Sequence, residues 1–333
     1  MKEMKVEILT IGTKKGNKYG ECNVFLFFVD GKLDYSIVID SCEEDLDILT
    51  KKVINEYGIK NFDIICWTHP HDDHSYGMLK LLQEYSNKHT KIVIPSELGR
   101  IAKCMTKDCK KIYDYTKLKT SRRQTYGGEV IGVSKDNRVT KKFFEGKKKI
   151  KFIIKALAPI THRVKTEELN CKYDKNLTCY HQFNEFSVVL FIRLGQFRFL
   201  FTADVTNGTI KKFRLSDNNE YRQFKNILFL KIPHHGSLES NALLNKFNTA
   251  TCENMICVTT AFQIGNVMLP NKGILDEYAK LGNVYCTSGL YSRNKTYGIV
   301  KSIFKFGYDG EKLNIEDIEC KTEGDAVKYE TEN

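Results

Sequence analysis

The sequence predicts a mixed α/β (α+β) fold, two β-sheets flanked by helices, and three observations carry that expectation. Apolar runs of strand length alternate with helix-periodic segments along most of the 333 residues. The polar clusters of both halves fall directly after strands, so their side chains can converge on one site, which favours one fold over two unrelated domains. Only 5 prolines and a 41% hydrophobic content exclude both a Pro-rich linker and a disordered chain.

The elements follow in order. Residues 5–10, 23–29 and 35–39 read as strands joined by turns at Gly16-Asn17 and Asp30-Gly31. Residues 43–56 read as a helix with acids in its first turn, where the macrodipole favours them. A buried strand over 62–67 runs into a polar cluster, followed by a short helix over 76–85 and a strand over 91–94. A helix over 97–113 opens a basic stretch with a turn at Gly127-Gly128, and strand character resumes over 149–156. The second half places strands at 186–193, 197–201, 227–232, 255–259 and 298–306, with a helix over 273–281. The expectation is a single domain over 1–333 that carries a basic insertion at 98–150.

Net charge is +11, and its placement is informative: residues 101–155 hold 17 Lys/Arg against 5 Asp/Glu, so the remainder of the chain is near neutral. Such a window suits an anionic partner, nucleic acid above all, with Arg122, Arg123, Lys147, Lys148 and Lys149 placed to track a phosphate backbone. The alternative is a solvated face that keeps the protein in solution. Eleven cysteines, an odd number with no C-x-x-C pair, read as buried reduced thiols. The first residues run straight into a strand pattern with no secretory signal, and apolar runs such as 23–29 fall far short of the ~20 residues of a membrane helix. A cytoplasmic protein with no membrane partner is expected.

The sharpest feature is Thr68-His69-Pro70-His71-Asp72-Asp73-His74, which places three of the chain's 8 histidines and an aspartate in an H-x-H-x-D-H pattern after a buried strand. Imidazole and carboxylate are the ligands of zinc and similar divalent ions. Four of them within six residues cannot all reach one ion, so alternate residues (His69 and His71, then Asp73 and His74) suit two adjacent ions. A surface loop that happens to hold three histidines is the less economical reading.

The pattern resembles the metallo-β-lactamase superfamily of metallohydrolases, an αββα sandwich. Ile37-Val38-Ile39-Asp40 resembles its first motif, in which the aspartate supports the histidine loop. Leu200-Phe201-Thr202-Ala203-Asp204 resembles its Thr-Gly-Asp motif, with alanine in place of glycine. Pro233-His234-His235-Gly236-Ser237, preceded by the run from Asn184 to Leu190, is similar to the C-terminal hydrolase domain of the ComEC competence family. The resemblance implies two divalent metal ions, Zn2+ or Mn2+. One would be held by His69, His71 and the shared Asp204, and the other by Asp73, His74, Asp204 and either His234 or His235, with His235 favoured. It also implies that Asp40 and Asn184 support the ligands from behind, that His234 protonates a leaving oxygen, and that Ser237 binds a phosphate oxygen. The superfamily's usual histidine between the second and fourth motifs has no counterpart in register; Asn184 stands there, and His181 and His162 are the only histidines between His89 and His234.

The resulting expectation is a metal-dependent phosphodiesterase, a stand-alone ComEC-like nuclease that hydrolyses DNA through a hydroxide shared by two metals, with Asp73, His234 and Ser237 at the reaction centre. A phosphodiesterase for a small nucleotide or phosphocholine-like ester is the alternative within the class. A non-catalytic nucleic-acid-binding subunit is the alternative outside it. The resemblance also implies a possible setting in operons directed against foreign DNA, so an operon-encoded protein partner belongs among the expectations.

Overall fold

A computed structural model describes residues 2–15, 18–42, 49–121, 128–144, 150–164, 179–213, 225–247, 255–264, 266–288 and 297–331. The chain opens with a meander, β1 (Lys2–Lys15), β2 (Lys18–Val29) and β3 (Lys32–Ile39), then the two-residue β4 (Ser41–Cys42) and a helix over Leu49–Glu56. β5 (Ile64–Cys66) leads through a helical turn at Asp72–His74 and β6 (Ser75–Tyr76) to a helix over Met78–Glu84 and then β7 (Lys91–Pro95). A helix over Lys107–Ser121 precedes β8 (Glu129–Val133), β9 (Arg138–Phe144) and β10 (Ile150–Ala158). After a 3-10 segment over Cys179–Phe186 come β11 (Val189–Leu194), β12 (Phe197–Phe201), β13 (Ile227–Lys231) and β14 (Met255–Thr259). A small hairpin, β15 (Phe262–Ile264) and β16 (Val267–Leu269), a helix over Lys272–Ala279, and β17 (Gly282–Cys286), β18 (Tyr297–Tyr308), β19 (Leu313–Gly324) and β20 (Val327–Lys328) complete the described strands.

Two eight-stranded sheets result, in the orders β19-β18-β1-β2-β3-β5-β7-β8 and β20-β17-β14-β13-β12-β11-β10-β9. Each is antiparallel over one half and turns parallel at β3–β5 in the first and β12–β13 in the second. Parallel neighbours end on the same side, so the loops after β3, β5, β12, β13 and β14 can gather at one rim. The carboxyl ends of parallel strands are where open sheets place their ligands.

Alternating apolar positions explain the layers. Val6, Ile8, Phe25, Phe27 and Ile37 point from the first sheet into a core shared with Phe152, Ile154, Phe199 and Phe201 of the second. The intervening residues of the first sheet, such as Val24, Leu26 and Val38, face the helices that carry Leu81, Leu82 and Ile112. Leu200, Leu230 and Cys257 do the same against Ile274, Leu275 and Tyr278. The order is helix, sheet, sheet, helix, as expected from the sequence.

Several elements differ from the sequence expectation. The helix expected over 97–113 is a 3-10 turn at Leu98–Arg100, entered from Glu97 at a left-handed φ of 68°, followed by a separate helix at Lys107–Ser121. The strand expected from 186 begins at Val189, and Asn184 lies in a 3-10 segment instead. The basic window does more than interrupt the rhythm: β8 and β9, at its centre, form one edge of the first and of the second sheet respectively. Arg122, Arg123, Lys147, Lys148 and Lys149 lie outside the described residues, as do 43–48 of the first expected helix. Cys42, Cys66, Cys109 and Cys286 are buried thiols, and burial pushes Cys109 up to about 12 and Cys286 up to about 11, away from nucleophilic use. Among the described residues no helix is long and apolar enough to cross a membrane.

The sheets meet through aromatic contacts centred on fully buried Phe152. Its ring stacks on Phe27 at 5.7 Å and 11° and meets Tyr35 edge-on at 5.3 Å. Phe152→Ala removes this contact from a close-packed core and should lower unfolding free energy by about 3–5 kcal/mol, measured by urea denaturation. A loss below about 1 kcal/mol would mean that the sheets do not depend on this contact.

Candidate metal centre

The strand ends carry the site, and the backbone is bent hard to present it. Of the eight described non-glycine residues with positive φ, four are Asp40 after β3, Ala203 after β12, and His234 and His235 after β13. Left-handed conformations cost non-glycine residues of order 1–3 kcal/mol and persist where the surroundings enforce them. Gly236 continues the left-handed run at φ 79°, and a Cβ there would lie 2.8 Å from Pro270, so Pro233-His234-His235-Gly236 needs its glycine. Ala203, at φ 47°, occupies the position where glycine would sit without strain.

Asp40 organises the histidine loop. Its Oδ1 accepts from the Thr68 amide at 2.7 Å, and its Oδ2 accepts from Thr68 Oγ1 at 2.6 Å and lies 2.7 Å from His74 Nδ1. With an acceptor at Nδ1, His74 turns Nε2 inward, 3.4 Å from both Asp73 Oδ2 and Asp204 Oδ1. His235 Nε2 lies 3.2 Å from Asp73 Oδ2 and 3.6 Å from Asp204 Oδ2. His69 Nε2 lies 3.0 Å from His71 Nδ1 and 3.8 Å from Asp204 Oδ2. Among the described residues two buried groups emerge that could each hold an ion, Asp73-His74-Asp204-His235 and His69-His71-Asp204, with Asp204 common to both.

The donor set fits divalent cations. Ligand bonds of about 2.0–2.2 Å in a tetrahedron place neighbouring ligand atoms about 3.4 Å apart, close to the separations seen here. His74 Nε2 and Asp204 Oδ1 are buried and have no hydrogen-bond partner among the described residues, which a protein tolerates where something else binds them. The charges give the same answer. Burial lowers His69 well below its ordinary value, and His74 and His71 beside it add to the effect. Burial alone would also lower His74 and His235, yet the facing carboxylates win: Asp73 and Asp204 raise His74 well above the usual imidazole value, and Asp204, with Asp73, pushes His235 up to about 9. Burial would raise Asp73 and Asp204, and the same imidazoles reverse that and hold both low. The carboxylates therefore draw positive charge into the site, as protons where no cation is bound.

All the ligand candidates named from the sequence converge, and it is His235 of the pair that faces inward. His234 is turned away, with Nε2 at 3.3 Å from Asn184 Nδ2 and Nδ1 at 3.8 Å from the Glu239 carboxylate. Ser237 Oγ accepts from the Glu239 amide and caps the segment Leu238–Lys246, so its own proton is still available to donate. His181 lies in the 3-10 segment that also carries Asn184. Three buried polar residues behind the site escape the sequence reading. Glu21 and Lys231 form an ion pair of 2.7 Å behind the site with both side chains 1% exposed, and Thr260 bridges Glu21 to His235. A charged residue inside an apolar strand, as in Leu228-Phe229-Leu230-Lys231-Ile232, is the signal that could reveal them.

Comparisons with known proteins give partial matches. Residues 19–98 match the sequence model of the Metallo-beta-lactamase superfamily, a stretch that holds Asp40 and the whole histidine cluster. A stretch of 105 residues is 35% identical to Ribonuclease Z of Clostridium tetani (strain Massachusetts / E88) and covers 30% of this chain and 32% of that protein. The chain thus aligns with about a third of the length of this relative. Among solved structures, one described as "Putative metal-dependent hydrolase" from Parabacteroides distasonis ATCC 8503 superposes with a TM-score of 0.36 and 13% identity, over 83% of this chain and 97% of the other. The mixed α/β fold accords with the metallo-β-lactamase fold.

In metal-free protein the protonated His235 should stabilise the fold fully below its unfolded value of 6.5 and lose that contribution as pH rises through about 9. Urea midpoints in the presence of a chelator should fall across that window, and a saturating divalent cation should flatten the dependence. A midpoint that does not change with pH in the chelator would contradict the paired charges.

Proposed function

We propose that this chain is a metal-dependent hydrolase of phosphodiester bonds with nucleic acid as its substrate class. The observation that carries the reading is the sharing of Asp204 between two buried His/Asp groups at one rim of the sandwich. His69, His71 and Asp204 would hold one divalent ion, and Asp73, His74, Asp204 and His235 a second. Bound there, the cations supply positive charge against the phosphoryl oxygens and lower the pKa of a water. The chain's own groups do the rest. Asp40 keeps His74 oriented. Asn184 Nδ2 donates to His234 Nε2, which leaves the His234 proton on Nδ1, where it can pass to a departing oxygen. The Ser237 hydroxyl and the Gly236 amide lie on the same turn and can donate to a phosphoryl oxygen.

The substrate class is supported by two independent facts. The partial relative is named a ribonuclease, and the excess positive charge of the chain is concentrated in residues 101–155. The sequence reading favours DNA, in the manner of a ComEC-like nuclease, and the relative favours RNA. The assay must therefore offer both.

Wild type, Asp73→Ala and His71→Ala should be incubated with single-stranded DNA, duplex DNA, RNA and bis-p-nitrophenyl phosphate in Mn2+, Zn2+ and Mg2+. We expect metal-dependent cleavage of a nucleic acid by wild type and a loss of more than about 100-fold in each variant, beyond the 10–100-fold typical of residues that only support a ligand. Cleavage of the small diester alone would transfer the reading to small nucleotide esters. Undiminished activity in both variants, or no turnover by metal-loaded wild type, would refute it. A second test concerns the basic stretch: reversing the charge of Lys147, Lys148 and Lys149 should weaken binding to long nucleic acid and flatten its salt dependence, while hydrolysis of the small diester is spared. Unchanged affinity and salt slope would exclude a direct role for that segment.

A further inference from the structure

We propose that Thr260, backed by the Glu21–Lys231 ion pair, is a positioning residue that keeps a proton on His235 Nδ1 and so reserves Nε2 for the metal site. The inference deepens the metal-centre reading and rests on it for its consequence, though the hydrogen-bond order stands without it.

The order follows from what each group can donate. Lys231 Nζ has only protons to offer, lies 2.7 Å from Glu21 Oε2, and makes its other bond to the Ile232 carbonyl at 3.1 Å. Beside that ammonium, Glu21 is a carboxylate, which accepts only. Asn23 Nδ2 donates to its Oε1 at 3.2 Å, and the Thr10 hydroxyl holds Asn23 by donating to Oδ1 at 2.9 Å. Thr260 Oγ1 donates to Glu21 Oε2 at 2.5 Å. A hydroxyl has one proton, and this one is spent on the carboxylate. Toward His235 Nδ1, 2.8 Å away, the Thr260 oxygen can therefore only accept, so Nδ1 must carry the hydrogen. The direction of every bond is set from Lys231 outward.

The ring plane is held as well as its protons. Phe262, on the hairpin after β14, stacks on His235 at 4.9 Å and 16°, and Tyr19 lies against Phe262 at 5.6 Å. Glu21 and Asn23 belong to β2 in one sheet, while Lys231 ends β13 and Thr260 directly follows β14 in the other. The orientation of His235 is thus tied to the docking of the two sheets. Thr260 is the clean probe, because truncating Glu21 or Lys231 would leave a buried charge unpaired and report on folding.

The experiment compares wild type, Thr260→Val and Thr260→Ser. Zn2+ and Co2+ affinity is measured by chelator competition, and the imidazole 1H–15N spectrum of metal-free protein is recorded with His235→Asn as the assignment control. We expect Thr260→Val to bind metal 10–100-fold more weakly and to lose a slowly exchanging Nδ1–H signal present in wild type, with Thr260→Ser restoring both. Val, unlike Ser, matches the shape and lacks the hydroxyl, so a purely steric role would show the opposite order. Wild-type affinity in Thr260→Val with its Nδ1–H signal retained overturns the proposal, as does a wild type without a protected Nδ1–H, which needs no variant to fold. A wild type that binds neither metal but keeps the Nδ1–H signal would refute the metal-centre reading and leave the hydrogen-bond order intact.

Discussion

Everything about this site follows from placing carboxylates between two apolar sheets. Asp40, Asp73, Asp204 and Glu21 are all buried at the same rim, where an unanswered charge would be several kcal/mol too costly to keep. Glu21 is answered by Lys231, and Asp40 by the Thr68 donors and His74. Asp73 and Asp204 repel one another and are answered, among the described residues, by the imidazoles of His74 and His235. Imidazole neutralises a carboxylate when it takes up a proton, and a divalent cation does so more completely. The same geometry therefore explains both why the histidines hold protons strongly in the absence of metal and why the pocket is suited to metal.

The second constraint is the backbone. Ligands from the ends of β5, β12 and β13 reach a common centre, and the chain reverses sharply in left-handed residues beyond three of the strands that frame it, at Asp40 after β3, Ala203 after β12, and His234 and His235 after β13. Those turns are unfavourable in isolation. Regular parallel pairing on the sheet side and the hydrogen bonds of Asp40, Thr68 and Thr260 on the site side hold them in place. The turn after β13 also separates the fates of two adjacent histidines, sending His235 into the buried cluster while His234 meets Asn184 at the rim.

This division explains what can be read from sequence. The H-x-H-x-D-H run is legible because its residues are adjacent and their chemistry is rare, and the strand-terminal Asp40 and Asp204 are legible once their order along the chain is compared with it. The inter-sheet core is legible from period-two alternation. Glu21, Lys231 and Thr260 are different: each is a single polar residue in or after an apolar strand, and only pairing across sheets makes them a unit. β19 eludes periodicity because it is an edge strand with exposed acids in an apolar frame, and β8 and β9 are hidden within a run of lysines whose charge suggests a solvated segment.

The two halves of the site solve the same problem in the same way. Thr68 donates its one hydroxyl proton to Asp40 at 2.6 Å, so its oxygen can only accept from His69 Nδ1, 3.0 Å away. Thr260 does this between Glu21 and His235. In both, a buried carboxylate consumes the threonine proton, and the threonine oxygen in turn forces the imidazole to present Nε2 to the centre. Asp40 imposes the same state on His74 directly. The histidines at the first and last positions of the cluster are thus locked by devices anchored to different strands, and Asp204 is the group that both face. Rigidity on each side with one shared carboxylate between them is the condition under which two cations could sit at a fixed separation, because neither half can relax toward the other without breaking a buried hydrogen bond.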